Sequence, residues 1–137
     1  VIRELTYSGR IVIAAGGGGI PVYYRKDGDI DGVDAVIDKD RASAVLAKDI
    51  GAHTLLILTG EDGVYLNYGK KDRTKLKNIS VEDAERYLKE GQFPRGSMGP
   101  KIESAIHFLK GGGKRVIISS VEEGYEALEG RAGTTIS

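Results

Sequence analysis

Residues 35–59 read Ala-Val-Ile-Asp-Lys-Asp-Arg-Ala-Ser-Ala-Val-Leu-Ala-Lys-Asp-Ile-Gly-Ala-His-Thr-Leu-Leu-Ile-Leu-Thr, and they decide the fold class. Ala42, Val45, Leu46 and Ile50 recur at helical spacing, which predicts an amphipathic helix. Gly51 follows as its stop. Thr54–Thr59 is then an unbroken apolar run, the pattern of a strand covered on both faces in a parallel sheet. Outward from this helix–strand unit the alternation continues. Upstream, Arg10–Ala15 reads as a further short buried strand and Ile20–Tyr24 as extended, with a turn signal at Asp27-Gly28. Downstream, Val64–Tyr68 is extended and Lys70–Lys77 reads as a charged, solvated loop. Ser80 and Asp83 suggest a capping box for a helix to about Glu90. Pro100 suits the first position of another helix, with Ile102, Ala105, Ile106 and Leu109 as its stripe. Arg115–Ser119 is the last clear buried strand. Ser120 and Glu123 suggest a cap for a helix to Leu128, and the tail at 133–136 closes as a short strand. Strands alternating with helices predict an α/β fold, a three-layer αβα sandwich with a mostly parallel sheet.

Composition narrows the function. The chain has 137 residues, one domain's worth. Lys plus Arg equals Asp plus Glu at 20 each, so no global basic field exists to attract nucleic acid. There is no cysteine, which excludes disulfides, thiolate metal sites and thiol catalysis and fits a cytoplasmic, reducing setting. No apolar run is long enough for a membrane helix. The first helix, Val1 to Gly9, has no capping residue before it, and the only Met is Met98. The expectation is a C-terminal part of something longer.

Four segments fall where strands run into helices, the ligand-binding edge of an open α/β sheet. They are Gly16, Gly17, Gly18 and Gly19; Asp38-Lys39-Asp40; Thr59 to Gly63; and Gly96 to Lys101. Four glycines in a row offer unobstructed backbone N–H groups to an anion. Lys39 and Lys101 each sit at a helix start, against the helix dipole, a conflict that an anionic ligand relieves. Asp40 between them offsets their repulsion. Together they suggest a polyphosphate site for phosphoryl transfer, which needs charge stabilisation more than covalent chemistry. Neither nucleotide-loop spelling is present: Gly63 and Gly69-Lys70 are one residue too far apart, and Pro21 stands where a dinucleotide loop has its third glycine. Tyr65 and Tyr68 are candidates to flank a base, with plain packing an equal reading. No carboxylate cluster forms a metal cage, so Mg²⁺ is expected to arrive with the nucleotide. His53 and His107 stand alone.

Ile13–Val22 (Ile-Ala-Ala-Gly-Gly-Gly-Gly-Ile-Pro-Val), Gly32–Asp40, Ile57–Thr59 with Asp62-Gly63-Val64, Glu90–Phe93, Gly96–Lys101 and Leu128–Thr135 occur in an order that resembles the carbamate kinases of the amino acid kinase family. The resemblance implies that family's fold, present as its C-terminal part only. It implies reversible phosphoryl transfer between ATP and carbamate, giving ADP and carbamoyl phosphate. Lys39 and Lys101 are then the lysines that neutralise the transferred group, and Asp40 their organiser. The nucleotide-binding set is Thr59, Gly60, Asp62, Gly63, Tyr65, Tyr68, Ser97, Met98 and Pro100, with Gly16–Gly19 near phosphates or substrate. Gly60 departs from the family, which often carries Asp there. Members are about twice this length, commonly homodimers, and carry an early Gly-Gly-Asn loop and a further lysine in an N-terminal half not found here. The alternatives are a non-catalytic nucleotide-binding domain and a family member with another acceptor.

Overall fold

In a computed structural model that describes residues 1–137, the chain opens with α1 (Ile2–Tyr7) and an antiparallel hairpin of β1 (Val22–Tyr24) and β2 (Ile30–Gly32). Next come α2 (Lys39–Ile50), β3 (Thr54–Thr59), β4 (Val64–Leu66), β5 (Thr74–Leu76), β6 (Asn78–Ile79) and α3 (Val81–Lys89). Then follow α4 (Met98–Lys110), β7 (Arg115–Ser120), α5 (Gly124–Leu128) and β8 (Thr134–Ile136).

The main sheet has the order β3-β7-β8-β6. β3 and β7 run parallel in register from Thr54↔Arg115 to Thr59↔Ser120, so their carboxyl ends meet at one edge. β8 lies antiparallel to β7 and parallel to β6. Alternation along the strands sorts the faces. Leu55, Ile57, Val116 and Ile118 join the core under α2, α3 and α4, where Ile102 and Phe108 are wholly buried. α5 lies against the other face, its Gly124 close to Leu58. The expected three-layer α/β sandwich with a mostly parallel sheet therefore forms.

Four local expectations need correction. Arg10–Ala15 is not a strand: no segment of the chain pairs with it, and Ile11 and Ile13 are 99% and 98% exposed. A strand-like sequence becomes a strand only where a neighbour takes its N–H and C=O groups. Ile13→Ser in this chain is expected to change stability by no more than about 0.5 kcal/mol, whereas a buried strand would lose far more. A clear drop in the denaturation midpoint would place Ile13 in a core after all.

The second correction concerns α2. Its buried face is Asp40, Ala44 and Ala47, not the Val45 side, and Val45 is exposed. The small Ala44 and Ala47, at i+4 and i+7 from Asp40, let α4 approach closely. Third, α4 starts at Met98, two residues before Pro100. The carbonyl of Pro94 accepts from the Gly99 N–H at 2.9 Å and fixes that start. Fourth, part of the supposed loop 70–77 is β5, paired with β4 through Val64↔Leu76 and Leu66↔Thr74. Leu76 packs against the core, a single apolar anchor that the surrounding lysines obscure.

The Ser80 cap behaves as read, its hydroxyl accepting from the Asp83 N–H at 3.1 Å. The Ser120 hydroxyl accepts from the Glu123 N–H at 3.2 Å, but α5 begins only after Glu123, so this bond closes the turn ahead of the helix and does not cap it. No helix is long and apolar enough to cross a membrane.

Candidate functional site

A cleft of about 180 Å³ opens at the carboxyl end of β3. This is where the fold class places ligands. One wall is the turn from β3 to β4, through Thr59, Gly60, Glu61 and Gly63. Tyr65 on β4 and Tyr68 beyond it form a second wall, and Pro94, Ser97, Met98 and Lys101 a third.

Lys101 lies in the first turn of α4 and is only 9% exposed. Its Nζ donates to Oδ2 of Asp40 at 2.7 Å, joining residues 61 positions apart. Asp40 is 8% exposed and is held by its neighbour Asp38. Oδ1 of Asp38 accepts from the N–H groups of Asp40 and Arg41, at 3.0 Å each, as the cap of α2. A buried ion pair with this geometry is a fixed, pre-aimed cation at the cleft wall. It can meet negative charge that develops on a bound group without reorganising.

The tyrosines form a second ordered cluster. Their rings meet edge-on at 6.2 Å and 63°. The Tyr68 hydroxyl donates to Oε1 of Glu61 at 2.5 Å, which raises the phenol's pKa above its ordinary value. The Tyr65 hydroxyl donates to Oδ1 of Asp62 at 2.7 Å, and Lys75 Nζ donates to the other oxygen at 2.8 Å. The Lys75 bond first, then that of Tyr65, hold the Asp62 carboxyl below its ordinary value of 3.8. The folded-state pKa is lowered, so this link is complete above the ordinary carboxylate range and is lost as pH falls through the depressed value.

The cleft gathers Lys101, Thr59, Gly60, Gly63, Tyr65, Tyr68, Ser97 and Met98 from the expected set. Others fall elsewhere. Asp62 does not line it and instead engages Lys75 and Tyr65. Pro100 lines a separate hollow with Asp38, Arg41, Glu103 and Ser104. Lys39 is exposed at the start of α2 and does not line the cleft. Gly16–Gly19 line a third, shallow hollow beside Ala35–Ile37. There Gly18 is a packing glycine, since a Cβ would lie 2.3 Å from the Ile37 carbonyl oxygen. Glu61 and Pro94 also line the cleft, and the reading of the sequence passes over both. Glu61 was legible as a member of the 59–63 turn, whereas nothing local marks Pro94.

The profile of the amino acid kinase family matches residues 1–120. The carbamate kinase of Thermoplasma acidophilum is 55% identical over 136 residues, which are 99% of this chain and 44% of that protein. Carbamate kinase 2 of Enterococcus faecalis is 48% identical over 136 residues, 99% of this chain and 43% of that one. The solved structure of the Giardia lamblia carbamate kinase bound to AMP-PNP superposes with a TM-score of 0.94 at 42% identity. That match covers 98% of this chain and 47% of the Giardia chain. The N-acetylglutamate synthase of Neisseria gonorrhoeae shares the fold alone, at TM-score 0.70 and 23% identity over 99% of this chain and 30% of that one. The chain thus spans less than half the length of the carbamate kinases it matches.

Proposed function

This chain belongs to the amino acid kinase family, and from that premise we propose that it forms the nucleotide-binding part of a carbamate kinase. The reaction is reversible transfer of a phosphoryl group between ATP and carbamate, giving ADP and carbamoyl phosphate. The observation that carries this reading is the buried Lys101–Asp40 pair on the wall of a cleft at the strand ends.

Each residue has a role that its chemistry supports. Thr59, Gly60, Gly63, Tyr65, Tyr68, Ser97 and Met98 enclose the nucleotide. Lys101 neutralises charge on the transferred group, Asp40 holds its ammonium, and Lys39 supplies a second cation from the exposed start of α2. The Gly16–Gly19 loop serves the phosphates or the small substrate in the complete enzyme. Mg²⁺ arrives with the nucleotide, held by its phosphates and water. The other half of the family's fold completes the substrate site and covers Ile11, Ile13 and Val36, which are 95–99% exposed here. The complete enzyme works as a cytoplasmic homodimer.

The test is ATP formation from ADP and carbamoyl phosphate. The 137-residue chain alone is expected to bind Mg-ADP weakly and to turn over negligibly, and adding the complementary N-terminal portion restores turnover. Robust turnover by the chain alone would sink the claim that the site is shared. Tight nucleotide binding with no turnover even after complementation would favour a non-catalytic nucleotide-binding domain. Turnover with an acceptor other than carbamate would assign a different member of the family.

A further inference from the structure

We infer that Asp62 is a positioning residue, which acts on a nucleotide in the cleft only by fixing the ring of Tyr65. The inference rests on the nucleotide reading above. Its carboxylate ties three elements together. It sits in the turn between β3 and β4, accepts from the Tyr65 hydroxyl of β4 at 2.7 Å, and accepts from Lys75 of β5 at 2.8 Å.

The surroundings complete the clamp. The Arg73 guanidinium lies over the Tyr65 ring at 5.5 Å from its centroid. Tyr68 packs against the same ring in an edge arrangement, at 6.2 Å between centroids. The Lys75 stem passes so close to Gly63 that a Cβ there would lie 2.8 Å from Cε, and 2.9 Å from the Thr134 hydroxyl. Gly63 therefore contributes by making room for the stem that delivers Lys75 to Asp62. The buried Thr134 hydroxyl accepts from the Val64 N–H at 2.8 Å and bonds to the Leu76 carbonyl, anchoring both strands of the hairpin. With its hydroxyl bonded to Asp62 and its ring packed by Arg73 and Tyr68, Tyr65 presents a fixed surface to the cleft.

The Asp62–Lys75 pair contributes little to global stability. Its side chains are 46% and 36% exposed, and exposed ion pairs are weak. Its consequence is local, and it falls on ligand affinity. The Asp62 bond also raises the pKa of the Tyr65 phenol, which gives a signature independent of ligand.

The experiment is a double-mutant cycle in this chain, read as the Kd of Mg-ADP by calorimetry. Asp62→Ala is expected to weaken binding by roughly three- to ten-fold, and Tyr65→Phe by a similar factor. The double variant should be no weaker than Tyr65→Phe alone. Asp62→Asn keeps an acceptor for the phenol and should recover part of the loss. Its Tyr65 resonance, followed with labelled tyrosine, should titrate at lower pH than in the wild type. Additive losses in the cycle would mean direct contact by Asp62 and overturn the inference. Wild-type affinity in Asp62→Ala would overturn it too. A wild-type chain that binds no Mg-ADP overturns the nucleotide reading and this inference with it, whereas binding indifferent to Asp62 overturns this inference alone. Should Asp62→Ala fail to fold, the Asp62→Asn and Tyr65→Phe cycle carries the same comparison.

Discussion

Lys101→Ala in the complete enzyme is expected to lower kcat by about 10²–10³-fold, with a smaller change in KM. Phosphoryl transfer spreads charge over the oxygens of the moving group, and the protein's task is to meet that charge where it develops. Lys101 is suited to this by burial: at 9% exposure its ammonium acts with little competition from water. Asp40 holds it at 2.7 Å, so no side-chain freedom is lost at the moment of reaction. A cation that only bound the ground state would shift KM instead. Steady-state kinetics in the direction of ATP synthesis separate the two. An unchanged kcat would remove Lys101 from the catalytic set. Lys101→Arg should rescue little, because a planar guanidinium does not reproduce a compact ammonium in a pocket fitted to it.

The parts of this molecule that the sequence discloses are those set by local pattern. Thr54–Thr59 and Arg115–Ser120 pair in parallel, with β3 at the sheet edge, as their apolar runs suggest. Ser80 caps α3 as its spacing dictates, whereas Ser120 closes the turn before α5. Lys101 was legible because a lysine at a helix start opposes the dipole, and Asp40 because it stands beside Lys39, a second lysine so placed. What stays hidden is decided at long range. The α2 face turns to Ala44 and Ala47 because α4 packs there, which helical spacing alone does not reveal. β8 is legible as a strand in Thr134-Thr135-Ile136, but its place between β7 and β6 is not. Arg10–Ala15 has the spelling of a strand and lacks a partner within the chain. In the site, Asp62 reads as a nucleotide ligand because it stands in the turn, yet Lys75, thirteen residues on, draws it away from the cleft.

Asp40→Ala is expected to destabilise the chain by about 3 kcal/mol, and Asp40→Ala/Lys101→Met to recover most of that loss without recovering turnover. The single variant leaves the nearly buried Lys101 ammonium with no counter-charge. An unpaired buried charge is far costlier than the pair was worth, because pairing had offset its desolvation. The cleft limits the penalty, since Lys101 lines it and water can reach the ammonium from that side. Replacing the lysine with methionine removes the charge and keeps most of the volume, so α2 and α4 regain an apolar contact. Urea denaturation at constant m reads both effects as shifts in midpoint. An unshifted midpoint in Asp40→Ala would mean that Lys101 simply moves into solvent, and the pair would then not be a fixed feature of the site. If the double variant is as stable as the wild type while its complemented form makes no ATP, the pair is retained for what its charge does in the cleft. In that outcome methionine serves the packing of α2 on α4 as well as lysine does, and the buried lysine answers to the proposed reaction and not to the fold.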